Sequence, residues 1–157
     1  MMTLDSWVDE ISIWYKTRKH DQEEHLQHLI LNAPNTVWGP EITDMQSKAI
    51  ACWLDGCLRI FHAFRYHDPA LAYQFLQLAH GKLQATVSQP LADLELKDWS
   101  MKRLQHLTVL ALEFCNQQRQ PSWLDESHQI IETHVEFMAA HAWNEDRKHD
   151  QGSLRFH

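Results

Sequence analysis

The chain has 157 residues, enough for one domain with a full hydrophobic core. Its 4 glycines and 5 prolines are too few for the many tight turns of a sandwich or barrel, and a hydrophobic fraction of 44% argues against global disorder. A formal charge of −7 disfavours generic binding to nucleic acid or to an anionic membrane.

The pattern of apolar residues predicts five helical segments. The first runs from about Leu4 to Leu31. Leu4, Trp7, Val8, Ile11, Trp14 and Tyr15 recur at intervals of three and four and form one face. "KTRKHDQEEH" loses that face and is either an exposed continuation or a break, since Leu26, Leu29 and Ile30 resume the pattern after it. The short basic run Lys16 to His20 reads as a solvated helix face rather than a nucleic-acid patch, because "DQEE" follows it. "NAPNTVWGPE" is the clearest loop, with Val37 and Trp38 expected to tuck against the core. Thr43, with Gln46 three residues on, has the pattern of a capping box and opens a second helix reaching about Tyr66.

Asp68 and Pro69 then suit an N-cap and a first helical position. Ala72, Phe75, Leu76, Ala79 and Leu83 mark the buried face of a third helix, which ends before Pro90. "QPLADLELKD" reads as a loop with a short turn. A fourth helix follows from about Asp98 to Gln118, with Met101, Leu104, Thr108, Ala111 and Cys115 inward. Pro121 and Ser122 begin the fifth, with Ser122 as N-cap and Ile131, Val135, Met138 and Ala142 as its inner stripe. From Asn144 the sequence turns polar. The expected organisation is therefore an all-α, compact bundle of about five helices, a single domain over residues 1–143 with a polar tail over 144–157.

Three cysteines, an odd count without framework spacing, suit a reducing compartment. No apolar run approaches the ~18 residues of a membrane span, and "MMTLDSWVDE" lacks the regions of a signal peptide. A cytoplasmic, non-membrane protein is expected.

Two groups of polar residues are candidates for a site. The second helix, apolar on most sides, carries a narrow strip of Asp55, Arg59, His62 and Tyr66. Ala51, Cys52, Gly56 and Ala63 flank it with small side chains. Asp55 and Arg59 are spaced for an ion pair. Small flanks let another backbone approach, and Arg and Tyr favour interface centres. The strip Asp55, Arg59, His62, Ala63 and Tyr66 is therefore the candidate interface.

The second group comes from the 12 histidines. His25 and His28, and on the last helix His128, Glu132, His134 and His141, are the loose candidates for a divalent metal. Neither Glu-x-x-His nor His-x-x-x-His is present, so the local signatures of di-iron bundles and zinc proteases are missing. No phosphate loop, nucleophile elbow or Cys-His pair points to catalysis. No cofactor is assigned. The leading expectation is a helical interaction or regulatory protein acting through a helix surface, as a homo-oligomer or with another protein. A metal- or small-molecule-binding bundle is the alternative from another class. A helical adaptor or chaperone that cradles a segment of another chain is the third.

Overall fold

The computed structural model describes residues 2–17, 23–39 and 42–155, with side chains through residue 141. The described residues form six α-helices and one 3₁₀ turn, with no strand. These are α1 (Leu4–Thr17), α2 (Glu23–Leu31), the 3₁₀ turn (Asn35–Trp38), α3 (Asp44–Phe64), α4 (Pro69–Ser88), α5 (Leu94–Asn116) and α6 (Pro121–Arg155). None is long and apolar enough to cross a membrane. The chain divides into two compact units, residues 1–107 and 108–157, and the division falls within α5.

In the first unit α3 is central, packed against α1, α2, the 3₁₀ turn and α4. Its apolar arc explains this: Ile50, Trp53, Leu54, Cys57, Ile60 and Phe61 are all buried, and Phe64 is half-buried. The expected face of α4 is buried throughout, as are Val37 and Trp38 of the turn. The helix starts follow local chemistry. Thr43 Oγ1 accepts from the N–H of Gln46 at 3.2 Å, and Gln46 Oε1 accepts from the N–H of Thr43 at 2.9 Å. The Gln46 amide also donates to Thr36 O at 2.6 Å, which ties the start of α3 to the turn. Asp68 Oδ1 accepts from the N–H of Leu71 at 3.2 Å, with Pro69 at the first position of α4. Gly39 closes the turn at φ 100°, a conformation that side-chain-bearing residues rarely adopt.

The end of α2 rests on two tryptophans. The last carbonyls of a helix lack intrahelical donors. Leu29 O accepts from the Trp7 indole at 2.7 Å, and Ile30 O from the Trp53 indole at 3.1 Å. Asn32 covers His28 O through its backbone at 3.1 Å and its side chain at 2.8 Å. Trp7 is fully buried. These indoles bury a large apolar area and satisfy a helix end at once.

Three expectations about elements need correction. The first segment, counted as one, is two helices, α1 and α2: of the two readings of the lapse in periodicity, the break is the one that forms. Residues 18–22, which include the end of the basic run, lie outside the described residues. α5 begins at Leu94, inside the segment read as loop, because Asp93 caps it: Asp93 Oδ1 accepts from the N–H of Glu95 at 2.8 Å and Asp93 O from Lys97 at 3.0 Å. α6 begins at Pro121, one residue before the expected cap at Ser122.

The second unit is a helical hairpin. Thr108 and Phe114 of α5 meet His134 and Trp123 of α6, so the two run antiparallel. Phe114 and Trp123 stack edge to face at 5.2 Å. Thr108 Oγ1 lies 3.3 Å from His134 Nδ1. The inward row of α6 is thus Trp123, Ser127, Ile130, His134, Phe137 and His141, each buried or half-buried. Of the expected inner stripe, Ile131 and Val135 are corrected, being 47% and 60% exposed; Met138 is half-buried, and Ala142 lies outside the residues whose side chains are described. Both rows have helical spacing, and they lie about 100° apart around the axis. The aromatic surface of Phe114 and the hydroxyl of Thr108 select the aromatic and histidine row. The α6 backbone continues as helix to Arg155, and the side chains of the tail 144–157 lie outside those described.

Candidate functional site

The polar strip of α3 lies on the surface. Asp55, Arg59, His62, Ala63 and Tyr66 are all exposed. Asp55 is held from two sides. Arg59 Nε donates to Asp55 Oδ2 at 2.7 Å, the expected pairing along the helix. Tyr15 of α1 donates its hydroxyl to the same oxygen, and the Arg59 guanidinium lies over the Tyr15 ring at 5.2 Å. Burial, then the hydrogen bond to the Asp55 carboxylate, push the Tyr15 hydroxyl far above the usual phenol range. Arg59 is held more firmly in its charged form by the bond to Asp55.

Tyr15, Asp55 and Arg59 therefore form a clasp between α1 and α3. A phenol held protonated is no base at neutral pH, and the carboxylate is occupied by two donors, so the clasp offers no group poised for proton transfer. At the other end of the strip the Arg65 guanidinium stacks on the Tyr66 ring at 4.6 Å and donates to its hydroxyl. Burial and the charge of Arg65 lower the pKa of His62.

The small flanks of the strip separate into two roles. Ala51 and Ala63 are exposed, but Gly56 is buried. A Cβ on Gly56 would stand 2.5 Å from Ile30 Cδ1, so this glycine admits α2 of the same unit rather than a partner. Cys52 is half-buried and Cys57 buried, both as free thiols, and burial raises the pKa of each.

The histidine candidates do not converge. His25 and His28 are exposed on α2, and His28 Nδ1 lies 3.2 Å from the Asn32 amide. His128 and Glu132 are exposed on α6. His134 is engaged with Thr108, and His141 stacks on Phe137 at 6.3 Å. Burial lowers the pKa of His134. Among the described residues no group of three or more His, Cys, Asp or Glu is placed to hold a metal ion.

Concave surface lies elsewhere. A cleft of about 340 Å³ between the starts of α3 and α5 is lined by Asp44, Ile50, Asp93, Glu95, Leu96 and Trp99. Asp93 is occupied there as the cap of α5. A second hollow lies against Trp38 and Lys82. Sequence reading placed Tyr15 and Trp38 in the core and missed both contacts. Tyr15 carries a faint signal, since a phenol at the border of a stripe needs a partner. No family model, curated protein or solved structure was found to match this chain.

The clasp has a measurable strength. Tyr15→Phe removes one hydrogen bond to a charged group at a half-exposed position, and a loss of about 1 kcal/mol of stability is expected. Urea denaturation of the two proteins measures it. No change in midpoint would show that solvent replaces the Tyr15 hydroxyl at Asp55 without cost.

Proposed function

We propose that this protein is a non-catalytic helical interaction protein that pairs with a second copy of itself through the outer face of α6. The observation that carries the reading is an apolar row that the hairpin leaves uncovered. Leu124, Ile131 and Val135 share one face of α6 and are 56%, 47% and 60% exposed. Isolated exposed aliphatics are ordinary, whereas a row at helical spacing is the form that helix pairing uses. Val109 of α5, in the same unit, is exposed as well.

A second copy suits the row because a two-fold pair sets Leu124, Ile131 and Val135 of one copy against the same residues of the other. From Pro121 to Trp143 the sequence has four carboxylates and no Lys or Arg, so the pairing rests on apolar burial and not on charge. At 35 residues α6 is about 52 Å long, and the apolar row occupies its first half. The α3 strip is the weaker surface for this role. Asp55 and Arg59 are engaged with Tyr15, and Gly56 with α2.

Sedimentation equilibrium of the wild type and of the double variant Ile131→Gln, Val135→Gln tests the reading. A wild-type dimer at tens of micromolar is expected, with association weakened about a hundredfold or more in the variant and helicity unchanged. Glutamine keeps the net charge fixed, so the loss reports apolar burial. A monomeric wild type overturns the proposal. So does a dimer that survives the α6 substitutions and is dissociated by Ala63→Glu, which would return the interface to the α3 strip.

A further inference from the structure

We infer that the hollow beside the 3₁₀ turn is a docking groove for an extended peptide segment of another protein, one with a bulky apolar residue next to a carboxylate. The groove is independent of α6 and lies wholly within the first unit. Its deeper lobe, about 160 Å³, is walled by Ile30, Leu31, Trp38, Trp53 and Leu78. Trp38 and Trp53 pack edge to face at 5.2 Å and form its floor. Leu31 and Leu78 are exposed at its mouth, although both are large and aliphatic. Trp38 and Lys82 carry the surface on into a second, more open lobe along the last turn of α4.

The two lobes differ in shape. The deeper lobe, about 160 Å³, is close to the roughly 150 Å³ that holds a single benzene ring, and the second, about 380 Å³, is more open and continues from it along α4. The deeper lobe therefore takes one aromatic or branched side chain, and the chain that carries it runs on over the open lobe. Charge sets the sign of what lies next to that anchor. Lys82 is the only charged residue among the described residues lining either lobe, and its ammonium stands 6.0 Å over the Trp38 ring. It enters no ion pair among the described residues. In a chain of formal charge −7 this is a cation at an apolar rim that no carboxylate among the described residues shares.

The second lobe supplies the third requirement. The closing carbonyls of a helix have no intrahelical donors. At the end of α4, Thr86 O takes the N–H of Gln89 at 3.3 Å, and Ala85, Thr86, Ser88 and Gln89 of this closing turn line the lobe. Backbone N–H groups of an extended chain are suitable donors to such a rim. Apolar anchor, carboxylate on Lys82 and backbone donors toward Gln89 then follow one another along a single strand of peptide.

The probe is a blocked pentapeptide, acetyl-Gly-Phe-Glu-Ser-Gly-amide, titrated at millimolar concentration into the isotopically labelled full chain and followed by nuclear magnetic resonance. Shifts are expected at the indole N–H signals of Trp38 and Trp53 and at amides from Leu78 to Gln89. Replacing the peptide's Glu with Lys should weaken binding roughly fivefold, the scale of an exposed charge pair. Replacing its Phe with Ala should abolish binding. Lys82→Glu should invert the charge preference, and Lys82→Gln, the milder change, should erase it. Equal response to both peptide charges, shifts that avoid the groove, or no shifts at all would overturn the inference. Binding of 3-phenylpropionate as tight as that of the peptide would overturn it too, since the groove would then recognise a small acid and not a chain.

Discussion

Phe61→Ala should destabilise the protein by about 3–5 kcal/mol, with Leu54→Ala close behind at about 2–5 kcal/mol. Phe61 is 1% exposed and Leu54 5% exposed, both on the helix around which the first unit is packed. Truncation at Phe61 removes a ring from a site bounded by several helices, so no single neighbour can move in to fill the void. The loss comprises the transfer free energy of the ring and the cavity it leaves. Thermal melting and urea denaturation both measure it, and a fall in melting temperature on the order of 10 °C is expected for a chain of this size. The matching control is Val135→Ala on α6, measured at submicromolar concentration, where the proposed pairing through α6 is dissociated. It is equally aliphatic and has equally helical spacing, but it is 60% exposed, so a change within about 0.5 kcal/mol is expected. A large loss at Val135 together with a small one at Phe61 would reverse the inside and outside of both helices.

That contrast shows what the sequence could reveal. Helices α3 and α4 are legible because each carries one apolar arc and a cap whose chemistry is local: Thr43 with Gln46, and Asp68 with Pro69. Nothing beyond the segment itself is needed to place them. α6 is ambiguous because it carries two rows. The aliphatic row, Leu124, Ile131 and Val135, has the higher hydrophobicity. The row of Trp123, Ile130, His134 and Phe137 has the partners, Phe114 and Thr108 on α5. Hydrophobicity is a property of the segment and partnership is not, so periodicity alone turns Ile131 and Val135 inward where the structure exposes them, while Met138 of the same stripe is half-buried.

The candidate site was legible to the same degree. The Asp55–Arg59 pair follows from spacing within one helix. The third member, Tyr15, is 40 residues away in sequence and arrives only through the packing of α1 on α3. The tryptophan donors at the end of α2 are similarly hidden, since Trp7 and Trp53 stand 22 and 23 residues from the carbonyls they satisfy. The groove around Trp38 and Lys82 belongs to this class as well. Its lining is drawn from α2, the turn, α3 and α4, and no one of those segments hints at it.

Glycine gives the sharpest case, and the second large effect. Gly56 and Gly81 both stand in helix interiors, where glycine costs about 1 kcal/mol relative to alanine. By propensity the two are the same residue. Gly81 has nothing within 4 Å of where its Cβ would stand, so Gly81→Ala should stabilise the protein by about 0.4–1 kcal/mol. At Gly56 the same atom would lie 2.5 Å from Ile30 Cδ1, 3.2 Å from Ile30 Cγ1 and 3.4 Å from Leu26 Cδ1. The Ile30 methyl is the free end of its side chain, but Ile30 is buried and Leu26 backs it, so rotation has little room. Relief must come from lifting α2 off α3, which would strain the indole bond from Trp53 to Ile30 O. Gly56→Ala should therefore lose stability despite its better propensity. Gly56→Leu should lose about 3 kcal/mol or more, at the upper end of what overpacking costs. Chemical denaturation of the three variants gives the test. If Gly56→Ala proves as stabilising as Gly81→Ala, α2 yields freely, and the close approach of the two helices does not depend on the missing side chain.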